Sequence, residues 1–92
     1  MAPQTPPDSP IPPYHYVYTL QSLAHPTRFY IGLTTDLTSR LAKHNEGGNP
    51  HTIDHRPWSI KTVTAFRDSA RAAEFERYLK SPSGRAFAKR HL

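Results

Sequence analysis

The sequence predicts an α+β domain in which a three-stranded, mainly antiparallel sheet is packed against helices, in the order β-β-α-β-α-α. Three observations predict it. Tyr14 to Ser22 and Arg28 to Thr34 alternate side chains with the period of two that marks a half-buried strand. A short loop with Pro26 separates these two segments, so they pair as an antiparallel hairpin. Beyond them, two segments carry apolar residues at helical spacing behind an aspartate suited to capping.

In the first strand Tyr14, Tyr16, Tyr18 and Leu20 share one face, and His15, Val17 and Thr19 the other. In the second, Phe29, Ile31 and Leu33 alternate with Tyr30, Gly32 and Thr34. Gly32 leaves a strand position without a side chain, where a backbone can approach closely. Asp36 is the N-cap of a helix over 37–46, whose inward stripe is marked by Leu37 and Leu41 and whose end is marked by Gly47 and Gly48. The segment Gly47 to Pro57 is rich in turn formers and reads as a loop. Trp58 to Phe66 is the third strand. Asp68 or Ser69 caps a second helix to about Lys80, and Ser81 with Pro82 forms an N-cap and N1 pair opening a last helix to about Arg90.

Ninety-two residues allow one domain. Residues 1–13 hold six of the ten prolines and no aromatic residue, which predicts a disordered Pro-rich tail; the folding unit is then 14–92. No stretch approaches the roughly 18 apolar residues of a spanning helix, so no membrane partner is expected. The absence of cysteine excludes disulfides and thiolate metal sites and fits a reducing, cytoplasmic setting. The net charge of +5 favours a polyanionic partner.

Helical phase singles out further residues. Arg40 and His44 lie one turn apart along an edge of the Leu37–Leu41 stripe. In the second helix Ala72, Phe75, Glu76 and Leu79 follow the i, i+3, i+4, i+7 pattern, which puts Glu76 beside the packed face. A carboxylate there needs a cation: Arg40, a metal ion or both, or Lys80 at i+4 on the helix surface. Two strand tyrosines, an Arg, a His and this carboxylate suit phosphodiester hydrolysis. The Arg can clamp non-bridging oxygens, and the Glu can hold one Mg²⁺. A tyrosine can activate water, although an unperturbed phenol, with a pKa of about 10, is ionised only to roughly one part in a thousand at pH 7.

In their order and spacing these residues resemble the GIY-YIG nuclease domain, in particular the small standalone proteins related to the catalytic domain of the ABC excinuclease. Tyr16-Val17-Tyr18 stands in the place of GIY, and Tyr30-Ile31-Gly32 is an intact YIG. The stretches Thr38 to Leu41, His44-Asn45, Arg56-Pro57-Trp58 and Ala73 to Lys80 follow in the family's order, so that the resemblance covers essentially all of 14–92. It implies a DNA endonuclease of repair or recombination, with Tyr18 and Tyr30 as the motif tyrosines, Arg40 as the phosphate-binding arginine, His44 supporting proton transfer, and Glu76 as the single ligand of one Mg²⁺ or Mn²⁺. It also implies branched or damaged DNA as substrate, and a partner protein or second copy that supplies specificity. The departure from GIY is confined to its first two positions, Tyr16 and Val17.

Other readings stand beside this one. A non-catalytic nucleic-acid-binding module would keep the same scaffold, and a nuclease of RNA or single strands would keep the same residues. His51-x-x-x-His55 with Asp54 has the look of a zinc site, but it lies in a loop and lacks a third convincing ligand.

Overall fold

The computed structural model describes residues 13–92; apart from Pro13, the expected tail lies outside the described residues. The strands are His15–Ser22 (β1), Phe29–Thr34 (β2) and Trp58–Phe66 (β3), and the helices are Leu37–Asn45 (α1), Ser69–Leu79 (α2) and Pro82–His91 (α3), in the expected order. The sheet is antiparallel throughout, with strand order β2-β1-β3. Because β1 is central and covered on both faces, Val17, Tyr18, Thr19 and Leu20 are all buried. The register sets Tyr18 opposite Gly32 on one side and Val63 on the other. Thr19 pairs with Thr62 and Leu20 with Ile60, so Lys61 is the extra residue of a bulge in β3.

The two faces carry separate cores. Tyr18, Leu20 and Trp58 pack with Tyr30, Leu37 and Leu41 beneath α1. On the opposite face Val17, Ala72 and Leu79 pack with Ile31, Leu33, Phe75 and Phe87 beneath α2 and α3. Each strand therefore sends one alternate set of side chains to α1 and the other to α2 and α3.

Side-chain caps begin all three helices. Asp36 accepts from the Ser39 N–H at 3.1 Å, which holds its carboxyl below the usual carboxylate range. Asp68, rather than Ser69, caps α2 by accepting from the Ala70 N–H at 2.8 Å. Ser81 Oγ accepts from the Gly84 N–H at 3.1 Å, with Pro82 at the first position of α3. A β-carbon on Gly84 would collide with the Tyr78 carbonyl and lie 2.6 Å from the Leu79 Cα. Those are backbone atoms of the preceding helix and cannot swing aside. Gly84→Ala should therefore loosen the α2–α3 junction and cost about 1–3 kcal/mol, read as a lowered thermal midpoint.

The 47–57 segment is more ordered than its composition indicates. Ile53–His55 form a 3₁₀ turn, and side chains tie the segment to the start of β3. The Asn45 amide donates to the Trp58 carbonyl at 3.0 Å and accepts the Trp58 N–H at 2.6 Å. The Trp58 indole N–H donates to the Thr52 carbonyl at 2.7 Å. Among the described residues no helix is long and apolar enough to cross a membrane.

Candidate active site

The site begins at the pairing of Tyr18 with Gly32. These residues face each other across β1 and β2, and the Tyr18 phenol lies over the space a side chain at position 32 would fill. The sequence suggested that Gly32 admits a backbone; it admits the phenol instead. A β-carbon there would clash with the hydroxyl edge of the ring, 2.8 Å from Cε1 and closer still to the hydroxyl. With only 1% of Tyr18 exposed, the ring has little room to retreat. Gly32→Ala should push the hydroxyl off its partner and, by overpacking, cost about 1–3 kcal/mol, read as a lowered thermal midpoint.

That partner is His44. Its Nε2 lies 3.0 Å from the Tyr18 hydroxyl and its Nδ1 lies 2.8 Å from Thr52 Oγ1. The Thr52 hydroxyl in turn donates to the Asn49 carbonyl at 3.4 Å. One tautomer employs every donor: Nδ1–H donates to Thr52, and Nε2 accepts the Tyr18 O–H. The helical phase placed His44 at an edge, but it is 0% exposed and is the buried residue of α1. Both ring nitrogens are satisfied, which is what makes that burial tolerable. Thr52 escaped sequence reading altogether: it sits in a turn-rich loop with no periodicity, and only the fold brings it to His44.

Burial pushes the His44 pKa down, and the charges of Arg40 and Lys43 push it further the same way. The unfolded chain therefore takes up this proton first as pH falls. Stability should be full above the ordinary histidine pKa of about 6.5 and should decline as pH drops from there through the depressed folded value. Thermal midpoints measured across this range should show the decline in the wild type and a smaller one in His44→Asn.

Burial pushes the Tyr18 phenol up, so it is protonated near neutral pH. Arg40 opposes this shift, both as a nearby donor and as a positive charge, while Tyr30 and the Glu76 carboxylate reinforce it. Tyr30 completes the cluster on the α1 face, its ring centroid 4.9 Å from that of His44 and 6.5 Å from that of Tyr18. The structure thus brings Tyr18, Tyr30, Arg40 and His44 together.

Glu76, expected to converge with them, makes no contact with these four side chains. Its helix covers the opposite face of the sheet, and its carboxylate accepts from Lys80 Nζ at 3.1 Å rather than from Arg40. It bears on the phenol only as a charge. An i,i+4 pair with an exposed lysine is worth about 0.3–0.5 kcal/mol, so a phosphate or a cation can redirect either partner.

The GIY-YIG catalytic domain model matches residues 14–90. The chain belongs to the GIY-YIG family. It is 38% identical over 79 residues to the structure-specific endonuclease subunit slx1 of Aspergillus niger, covering 79% of this chain and 19% of that protein. It is 36% identical over 77 residues to the SLX1 subunit of Meyerozyma guilliermondii, covering 77% of this chain and 26% of that protein. It is 35% identical over 89 residues to the SLX1 subunit of Candida dubliniensis, covering 89% of this chain and 30% of that protein. The chain therefore spans 19% to 30% of the length of these relatives.

Membership makes this a domain of a nuclease family whose enzymes work with divalent metal ions. Within the GIY-YIG domain the two named motifs meet physically, because the last residue of the first motif, Tyr18, lies over the last residue of the second, Gly32. The hard carboxylate oxygens of Glu76 are of the kind that suits a magnesium-like ion. Glu76 is the carboxylate whose charge reaches Tyr18, and such ions are commonly held by one or two carboxylates with water and phosphate oxygens. Among the described residues no three His, Asp or Glu side chains cluster as a metal cage, at His51, Asp54 and His55 or elsewhere.

Proposed function

We propose that the chain is an endonuclease that hydrolyses DNA phosphodiester bonds with the help of one Mg²⁺ or Mn²⁺. The observation that carries this reading is the buried 3.0 Å hydrogen bond between Tyr18 and His44 within the GIY-YIG domain. It supplies a route for a proton that a protonated phenol alone lacks. The Tyr18 oxygen takes a proton from the attacking water while its own proton passes to His44 Nε2, and Thr52 holds the Nδ1–H on the other side of the ring. The water oxygen bonds to phosphorus, the bond to one sugar oxygen breaks, and solvent returns a proton to the departing oxygen. Arg40 pairs with the non-bridging oxygens as negative charge gathers on them. Tyr30 borders the same space and orients the water or the phosphate. Glu76 would hold the ion, which supplies positive charge beside the phosphate and the departing oxygen.

The relatives are named as subunits of structure-specific endonucleases. By that likeness we assign this chain branched or damaged DNA, a role in repair or recombination, and a partner protein or second copy that adds specificity. The lack of cysteine fits a reducing setting such as the cytoplasm. The test is cleavage of labelled intact, branched and single-stranded DNA and of RNA, with Mg²⁺ or Mn²⁺. Cutting of branched duplexes supports the proposal. Binding with no cutting of any substrate makes the chain a binding module, and cutting confined to RNA or single strands changes the substrate.

A further inference from the structure

On the face of the sheet away from His44, an open groove of about 870 Å³ runs between β2 and α3. Five of its lining side chains are cations: Arg28, Lys61, Lys80, Arg85 and Lys89, and no Asp or Glu is among the described residues that line it. They come from both walls. Arg28 and Lys61 belong to the sheet side, Lys61 being the bulge residue of β3, while Arg85 and Lys89 lie one turn apart on α3. Phe29 lies among them, 49% exposed, with the Lys61 ammonium 4.8 Å over its ring.

We infer that this groove holds a single-stranded stretch of the DNA substrate. The inference rests on the nuclease reading above and extends it. Cations on both walls follow a phosphodiester backbone, and an exposed aromatic ring gives a base a surface to stack on; that combination binds single strands with little regard to sequence. Lys80 lines the groove while holding Glu76, the carboxylate assigned to the ion above.

Fluorescence anisotropy with the full chain tests this, using a labelled oligo-dT and a blunt duplex of equal length, in EDTA so that nothing is cut. Arg85→Ala with Lys89→Ala should weaken oligo-dT binding on the order of tenfold and lower the salt slope by about 1.4, or 0.7 per cation. Duplex binding should fall less. Phe29→Ala should weaken oligo-dT binding by a similar factor without changing the slope. Arg67→Ala with Arg77→Ala removes the same charge from exposed positions outside the groove and should do less. Equal losses in the two double variants, an equal loss for the duplex, unchanged oligo-dT binding, or displacement of oligo-dT by poly-glutamate at matched ionic strength would each overturn the groove. A wild type that binds as stated but cuts nothing supports the groove and sinks the nuclease reading. A wild type that cuts while the Arg85/Lys89 variant binds unchanged sinks the groove alone.

Discussion

Tyr18→Phe is expected to lower the cleavage rate by roughly 10²–10⁴-fold while the chain stays folded. The range is that of a positioned group that transfers a proton in the transition state. The ring remains to fill its place over Gly32, so the packing with Leu20 and Trp58 survives. What disappears is the hydroxyl that donates to His44 Nε2. A buried acceptor left without its donor costs about 1–3 kcal/mol, so a modest fall in thermal midpoint should accompany the loss of rate. A preformed phenolate is the wrong picture of this residue, because burial holds the phenol protonated. The relay depends instead on a neutral His44. The wild-type rate should therefore fall on the acid side as His44 takes up its proton, below the ordinary histidine range, with no limb at the pKa of a phenol. Tyr30→Phe should cost less, since no hydrogen bond joins Tyr30 to His44 among the described residues. An undiminished rate in Tyr18→Phe would remove the relay.

Local pattern carried much of this into view. Alternation in β1 and β2 assigned Tyr18 and Tyr30 to strands. Helical phase set Arg40 and His44 beside Leu37 and Leu41, and Glu76 beside Phe75 and Leu79. Aspartate and serine caps marked all three helix starts. What stayed hidden depends on pairing across the chain. Either edge of a hairpin offers the same free backbone groups, so nothing local placed β3 beside β1. The purpose of Gly32 follows from its register with Tyr18, which alternation alone does not set. The burial of His44 depends on Thr52, eight residues away in a segment whose composition says only that it turns. Gly84 looks like an ordinary residue in the first turn of a helix until the Tyr78 carbonyl is seen against it. Glu76 was correctly placed at a helix edge, but whether Arg40 or Lys80 would claim it depended on which face of the sheet α2 covers.

Glu76 is the residue of the proposed site with the fewest contacts to the others. Its carboxylate pairs with Lys80 and makes no hydrogen bond to Tyr18 or Arg40, so the part proposed for it is to hold an ion. Charge stabilisation of this kind is worth several kcal/mol, or roughly 10³-fold in rate. Truncating it also frees Lys80, but an exposed i,i+4 pair contributes too little to the fold for that to matter. The decisive measurement is nicking of a branched duplex by the wild type and by Glu76→Ala across a titration of Mg²⁺ or Mn²⁺, with DNA binding followed in parallel. The wild type should cut with the metal and stop in EDTA, while Glu76→Ala should bind the same DNA and cut at least about 10³-fold more slowly at every metal concentration. Cutting by Glu76→Ala at the wild-type rate, or cutting by the wild type in EDTA, would contradict a metal-assisted nuclease built on this residue.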